Sequence, residues 1–380
     1  MGRLLWSARF ALPLTATAAT RPRLGALDRL RGLTVAAMIL VNNPGNWNRV
    51  YPPLTHAAWH GATAADFIFP AFIVIMGMAM SFVLRPPASE GERRRIDAAI
   101  VRRAAILIVL GLVLNIAAAW PHPLALRIPG VLQRLGVTYL VAALIVVRTT
   151  PRQQGLVAAV LLAAHWGLLL VGGSLAPATN LGARLDHLLF GTHLLSAAGD
   201  PEGALGTLSC VATTLLGVGM GHWVRRQLAA DRGAATVMAG VAATGLAAVM
   251  AGLLWSVWLP LNKALWTGSF AVLTTGAALL GLTACLAIER TPLQRLLAPL
   301  EWLGLNPLAI YFLSELTARA VQYPWGHGLA PRDAVFWNVL VPLVGDHGEP
   351  RSSLIYALAY LLLWTGVAAL MRWKGVRVRV

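Results

Sequence analysis

The sequence is poor in charged residues and in cysteine. Charged residues make up 12% of the 380 residues and apolar residues 57%, whereas soluble domains contain roughly 25% and 45–50%. This deficit of charge excludes an ordinary soluble globular protein. The two cysteines, Cys210 and Cys285, both lie in apolar runs, which excludes a disulfide framework and a cysteine-based metal site. Each is expected to be a small buried apolar side chain.

Long apolar runs such as AAILIVLGLVLNIAAAW and LIYALAYLLLWTGVAAL approach the ~20 residues that a helix needs to cross a bilayer. The sequence therefore predicts an all-α, polytopic integral membrane helix bundle. We divide it into a cytoplasmic N-terminal tail (1–27), a membrane domain (28–373) and a short basic cytoplasmic tail (374–380). The predicted spans are 30–46, 63–84, 99–119, 130–147, 155–175, 204–224, 234–258, 266–288, 299–320 and 352–371.

The net charge of +16 would suggest nucleic acid as the partner of a soluble protein, but here the basic residues lie in short loops. With ten spans, roughly three quarters of the 31 basic residues fall on one side of the membrane. The positive-inside rule places that side, and both termini, in the cytoplasm. The partner indicated is the lipid bilayer and not nucleic acid. A monomer and a homodimer are both compatible with this pattern.

The stretch from Asn42 to Pro70, NNPGNWNRVYPPLTHAAWHGATAADFIFP, connects two apolar runs on the opposite, outer side. It is richer in polar and aromatic residues than a simple turn requires. His56 is the first candidate, since histidine titrates near neutral pH and serves as general base or nucleophile. The alternative is an interfacial histidine that bonds a headgroup. His60 follows at i+4, but HAAWH lacks the acid of a zinc-protease motif, and no metal is expected.

Further polar residues cluster at the predicted outer ends of spans. Gln133 and Arg134 lie about one turn inside the fourth span, where a charge is costly unless it is paired or faces a wet cavity. Snorkelling of Arg134 to the interface is the alternative. The other polar residues on this side are Arg127, Glu202, Asn262 and Lys263. Glu202 is interpreted as a partner of a helix dipole. Trp59 either stacks on a sugar ring or is an interfacial tryptophan.

Glu315 and Asn306 lie within the predicted ninth span. A carboxylate embedded in a membrane is a functional candidate, although Glu315 also has a structural partner available in Arg319 at i+4. Together with Asn115, these residues support a second hypothesis, a secondary transporter with a buried polar path. An inverted repeat would favour the transporter, and none is visible in the sequence.

Several separated blocks jointly resemble the heparan-α-glucosaminide N-acetyltransferase family, within the transmembrane acyltransferases. The blocks are DRLRGLTVAAMILVNNPGNW, LTHAAWHGATAADFIFPAFIVIMG, RIPGVLQRLGVTY, DPEGALGTL, PLNKALWTGSF and LGLNPLAIYFLSE. The resemblance implies transfer of acetyl from cytoplasmic acetyl-CoA to an amine or hydroxyl of a sugar or glycan on the far side. It also implies a bacterial inner-membrane protein whose His56 loop faces the periplasm or exterior. The acceptor's identity, the acyl group and N- versus O-acylation stay open.

By the same match, His56 is the catalytic residue, either as base in a ternary complex or as an acetylated nucleophile. Asn42 is expected to hydrogen-bond the thioester carbonyl, and Trp59 and Asp66 to shape the His56 loop. Acceptor binding is assigned to these two and to Arg127, Gln133, Arg134, Asn262, Lys263 and Asn306. The phosphates of acetyl-CoA are assigned to Arg29, Arg31, Arg102 and Arg103, although the positive-inside rule explains these arginines without a ligand.

Overall fold

The computed structural model describes residues 25–122, 126–325, 328–347 and 349–378, and within these ranges the chain forms helices and no β-strand. Most of the predicted N-terminal tail, residues 1–24, lies outside the described residues. The α-helices are α1 (Gly25–Asn42), α2 (Ile68–Val83), α3 (Glu90–Ala119), α4 (Val131–Arg148), α5 (Pro151–Val171), α6 (Leu181–Phe190), α7 (Ala204–Ala229), α8 (Ala234–Trp255), α9 (Gly268–Ile288), α10 (Leu293–Leu296), α11 (Ala298–Leu305), α12 (Pro307–Gln322), α13 (Pro331–Val335), α14 (Val341–Val344) and α15 (Pro350–Trp373). Short 3-10 helices cover Pro52–Leu54 and Ala64–Phe67, and a π-helical turn covers Phe336–Leu340.

Eight helices of the described part are long and apolar enough to cross a membrane. They are Ala64–Val83, Glu90–Ala119, Val131–Arg148, Pro151–Val171, Ala204–Ala229, Ala234–Trp255, Gly268–Ile288 and Pro350–Trp373. The prediction of an all-helical membrane bundle is confirmed. The other two predicted spans correspond to α1, which carries Asp28, Arg29 and Arg31, and to the broken pair α11 and α12. The count of ten and the cytoplasmic termini stay predictions.

The break between α11 and α12 lies at Asn306, whose φ of −130° and ψ of 50° are not helical. Pro307 explains it, because proline lacks an N–H and disfavours the helical region for the preceding residue. The Asn306 side chain donates to the carbonyl of Val376 (3.0 Å) and accepts from the N–H of Val378 (2.8 Å). Both ends of this amide are therefore engaged with the C-terminal segment.

Helices α2 and α7 pack with their backbones almost in contact. A Cβ on Gly217 would lie 2.4 Å from the carbonyl oxygen of Val74, and one on Gly77 would lie 2.0 Å from that of Thr214. Small residues permit this approach, which is typical of helices packed within membranes. Helices α3, α4 and α7 supply most of the largest buried apolar cluster. This packing fixes α2, which carries the end of the outer loop.

The connection between α8 and α9 is anchored by Trp266, which is fully buried. Its ring packs edge-to-face on Phe69 (5.5 Å) and Phe270 (5.7 Å), and its Nε1 donates to the Thr213 hydroxyl (3.1 Å). The φ of Trp266 is +51°, a left-handed conformation that is rare for a bulky residue. The Trp266 N–H closes a turn on the carbonyl of Lys263 (3.1 Å). The turn therefore holds Lys263 in a fixed place.

Candidate active site

Asp66 is the buried centre of the outer loop, with a side chain that is 1% exposed. Its Oδ2 accepts from the N–H groups of Ala57 and Thr63 (both 3.0 Å) and from the Thr63 hydroxyl (3.1 Å). Thr63 and Asp66 form a capping box at the start of the 3-10 helix. These bonds hold the carboxylate rigidly and leave Oδ1 directed at the next group.

That group is His56, whose Nδ1 lies 2.8 Å from Oδ1 of Asp66. A carboxylate only accepts hydrogen bonds, so in the neutral ring this bond places the proton on Nδ1. Nε2 is then an acceptor, which is the state that a general base or a nucleophile requires. The His56 side chain is half-exposed and open to a ligand. The sequence predicted only that Asp66 shapes the His56 loop, and the direct contact between the two side chains is seen in the structure.

Lys263 meets the same pair from the α8–α9 connection. Its Nζ lies 3.1 Å from Nδ1 and 3.2 Å from Nε2 of His56, and 3.5 Å from Oδ1 of Asp66. Burial lowers the pKa of Lys263 below the usual lysine value, while the carboxylates of Glu202 and Asp66 act in the opposite direction. A partly buried amine thus lies in direct contact with the histidine.

Asn42, the last residue of α1, is held by α12. Its Nδ2 donates to Oε1 of Glu315 (2.9 Å), and Oε2 of Glu315 pairs with Nη1 of Arg319 (2.7 Å). Glu315 therefore fixes which end of the amide is nitrogen. A primary amide has two N–H groups, so Asn42 has a second one to offer to a ligand oxygen. The local partner that the sequence proposed for Glu315, Arg319, is confirmed.

A cavity of about 90 Å³ brings these side chains together. His56, Asn42 and Lys263 line it at the polar end, and apolar side chains from α1, α2 and α4 complete most of the rest. Two further polar lining residues are Glu202 and Tyr311. Sequence reasoning missed Tyr311 and interpreted Glu202 only as a dipole partner. The one available signal for Glu202 was an acid at the outer end of a span, in a short polar block.

Arg127 connects Glu202 to a second acid. Its guanidinium donates to both carboxylate oxygens of Asp200, one at 2.7 Å, and it also contacts Glu202. Although burial opposes the charged form, the hydrogen bond to Asp200 and the charge of Glu202 raise the pKa of Arg127. The group stays a cation that positions Glu202. Arg127 therefore contacts Glu202, which lines the cavity, but does not line the cavity itself.

Trp59 and Asn262 join the two loops instead of lining the His56 cavity. The Trp59 Nε1 donates to the carbonyl of Leu175 (2.8 Å), and the Asn262 amide donates to the carbonyl of Trp59 (3.0 Å). Oδ1 of Asn262 accepts from the N–H of Leu265 (2.8 Å). His60 is directed at Asn262, with 3.4 Å between their side-chain nitrogens. These contacts tie the His56 loop to the Lys263 turn.

The side chains of Gln133 and Arg134 also hydrogen-bond the backbone of neighbouring segments. Gln133 donates to the carbonyl of Ile128 (2.9 Å). Arg134 is 2% exposed, donates to the carbonyl of Gly203 (2.9 Å) and lies 5.3 Å from the centroid of the Trp266 ring. The alternative interpretation, snorkelling of Arg134 to the interface, does not occur, because its guanidinium is packed under the start of α7.

The remaining predicted site residues lie away from His56. Asn306 precedes Glu315 by nine residues, or about 13 Å along a helix, and it is bonded to the C-terminal segment. Among the predicted phosphate ligands, Arg29 is buried between Glu289 (2.9 Å) and Glu301. Arg31 pairs with Asp28 (2.6 Å), Arg102 and Arg103 are exposed, and Arg103 lies 4.7 Å from the centroid of the Tyr139 ring. Two of the four guanidiniums are thus already paired with carboxylates.

A larger cavity, of about 190 Å³, is lined by Ala58 and Trp59, by α6 and by the α6–α7 connection. Asp186 and Asp200 contribute its acidic groups, and Ala264 brings it next to the Lys263 turn. Burial raises the pKa of Asp186. Across the described ranges, no group of three or more His, Cys, Asp and Glu side chains is arranged to hold a metal ion.

Comparison with known proteins identifies the family of the chain. Residues 23–259 match the family model described as "Heparan-alpha-glucosaminide N-acetyltransferase, catalytic". The chain is 38% identical over 128 residues to the human heparan-alpha-glucosaminide N-acetyltransferase and 37% identical over 127 residues to the mouse protein. These matches cover 33% and 32% of the chain but only 19% of each relative. The family match covers more than half of the chain, and the chain therefore belongs to the heparan-α-glucosaminide N-acetyltransferase catalytic family.

Proposed function

We propose that this membrane protein is an acetyltransferase that moves acetyl from acetyl-CoA to an amine or hydroxyl of a sugar or glycan. The observation that carries the proposal is a histidine whose Nδ1 is oriented by a buried carboxylate, so that Nε2 is the acceptor, on the same cavity as an amide donor. His56, Asp66 and Asn42 are those three groups. Acyl transfer requires a base and a donor for the developing oxyanion.

The cavities support a route for the donor through the bundle. A smaller apolar cavity of about 20 Å³ shares Met38, Phe69, Val131 and Tyr311 with the His56 cavity and continues to Pro307. Pro307 begins α12 at the helix break. We place acetyl-CoA at the cytoplasmic face, with its thioester arm directed along these residues to His56. The acceptor then approaches from the outer loops, at the periplasmic side of a bacterial inner membrane.

In the ternary-complex form of the reaction, Nε2 of His56 takes a proton from the acceptor amine or hydroxyl as that group attacks the thioester carbonyl. Asn42 donates to the carbonyl oxygen as it becomes negative. The C–S bond breaks, the new C–N or C–O bond remains, and the thiolate receives the proton as free CoA. Asp66 stabilises the protonated ring throughout.

In the alternative form, Nε2 attacks the thioester first, and the acetyl group passes from His56 to the acceptor in a second step. Asn42 and Asp66 have the same roles in both forms. The two differ in whether CoA is released before the acceptor binds, and an acetyl group found on His56 in the absence of acceptor indicates the second form.

The test is acceptor-dependent release of free thiol from acetyl-CoA by the purified full chain in detergent, with glucosamine and small glycans as acceptors. His56→Ala is expected to lower turnover by about 10²–10⁴-fold, the usual contribution of a general base. His122→Ala is the matched control, since His122 is also exposed on this side. Equal loss in both variants, or none in His56→Ala, contradicts the assignment of His56.

The transporter hypothesis obtains no specific support from the described residues. Glu315 is occupied by Asn42 and Arg319, and Asn306 by the C-terminal segment. Movement of solute without consumption of acetyl-CoA, in reconstituted vesicles, would favour the transporter over the transferase.

A further inference from the structure

The chain contains two lysines, Lys263 and Lys374, and the structure places them in opposite settings. Lys374 follows the last helix and is exposed. The Lys263 side chain is 18% exposed, and its amine lies within 3.2 Å of both ring nitrogens of His56. A primary amine thus already occupies the position next to Nε2 that the proposed reaction requires of an acceptor amine.

The protein holds this amine in place. The Lys263 turn is closed by Trp266, which is fully buried, and the neighbouring Asn262 is bonded to the His56 loop at Trp59. The amine also lines the same cavity as Asn42, the proposed oxyanion donor. A nucleophile held beside its base and beside the reacting carbonyl reacts far faster than one that is free in solution.

The charges around Lys263 decide how much of it is neutral. His56 and Asp66 contact the amine, Glu202 lies across the cavity, and Arg134 acts from beneath the turn. Burial lowers the pKa of Lys263, and the two carboxylates offset only part of that effect. A lowered pKa means that the neutral, nucleophilic amine is present at lower pH than in an exposed lysine such as Lys374.

We propose that Lys263 is an internal acetyl acceptor: when no sugar is bound, the enzyme acetylates its own Lys263. The inference rests on the proposed function. The Nζ–C bond forms as the C–S bond of acetyl-CoA breaks, and His56 takes the amine proton and passes it to the departing thiolate. The products are Nζ-acetyl-lysine and free CoA, and no further reactant is needed.

Two consequences follow for catalysis. A bound acceptor amine must displace Lys263 from Nε2, so a saturating acceptor protects the lysine. Acetylation removes the positive charge of Lys263 and adds an acyl group to a cavity of about 90 Å³. Preincubation with acetyl-CoA alone therefore inactivates the protein progressively, in step with acetylation of Lys263, and glucosamine present during the preincubation slows this loss.

The experiment is peptide mass spectrometry of the purified full chain after incubation with acetyl-CoA without sugar, with Lys374 as the internal control. Acetylation of Lys263 is expected to be about tenfold or more faster than that of Lys374, to slow in His56→Ala and to fall when glucosamine is added. Its rate rises with pH, because only the neutral amine attacks.

Four results overturn the inference. Lys263 that stays unmodified while the same preparation acetylates sugar overturns it and leaves the proposed function standing. Equal rates at Lys263 and Lys374, or an unchanged rate at Lys263 in His56→Ala, show ordinary chemical acetylation. Absence of both lysine acetylation and acceptor-dependent CoA release removes the proposed function together with the inference.

Discussion

His56 owes its orientation to a carboxylate that is itself held by three donors. Ala57 and Thr63 occupy Oδ2 of Asp66, which leaves Oδ1 for Nδ1 of His56. Because Oδ1 accepts only, the proton of the neutral ring is directed to Nδ1. The chemistry of Nε2 therefore depends on Asp66, although Asp66 does not line the cavity.

Asp66→Asn tests this dependence with little change of volume. The amide can present N–H to Nδ1, which favours the tautomer whose Nε2 carries the proton and cannot act as base. We expect kcat to fall about 10²-fold or more with a smaller change in KM for the acceptor, measured by thiol release. Asp231→Asn is the matched control, since Asp231 is exposed and its φ of +50° suits asparagine. An unchanged kcat in Asp66→Asn contradicts the role of Asp66.

At the scale of elements, the site depends on helices that approach without side chains between them. The end of the outer loop enters α2, and α2 is fixed against α7 by glycines on both helices. The two residues directly before α7 are Glu202 and Gly203, and the Gly203 carbonyl accepts from Arg134. A change in the distance between α2 and α7 therefore displaces both the His56 loop and Glu202.

Gly217→Ala is expected to destabilise the protein by about 1–3 kcal/mol, because its Cβ would lie 2.4 Å from the carbonyl oxygen of Val74. Gly219→Ala is the control on the same helix, where a Cβ meets nothing within 4 Å. There we expect no loss, or a gain of about 0.5–1 kcal/mol from helix propensity. Thermal unfolding of both variants in the same detergent measures the difference, and equal melting temperatures contradict close packing of α2 on α7.

At the scale of the whole molecule, the distribution of charge and the position of the site together predict which end of the bundle faces outward. The His56 loop, the Lys263 turn and the α6–α7 connection meet at one end of the bundle. The arginine-rich segments before and within α3 belong to the other end of their helices. The positive-inside rule then predicts that the site end is extracytoplasmic.

Labelling of introduced cysteines in intact cells tests this orientation. Cys210 and Cys285 are buried and add little background. Thr179→Cys, in the outer loop before α6, is expected to react with a membrane-impermeant maleimide. Arg152→Cys, at the start of α5, is expected to react only after lysis. Both original residues are exposed, so a reversed pattern shows that the predicted orientation is wrong.

The sequence by itself determined the class of the protein, because hydropathy and charge act locally and can be counted along the chain. It also indicated His56, Asp66 and Asn42, through a resemblance carried by contiguous blocks. Only the tertiary structure decided that Lys263 meets His56 across 207 residues and that Glu315 holds Asn42 across 273. It likewise brought Glu202 to the cavity and engaged Asn306 with the C-terminal segment. Contacts between distant loops depend on which helices pack together, and the periodicity of a single sequence shows at most which face of a helix is buried and not its partner.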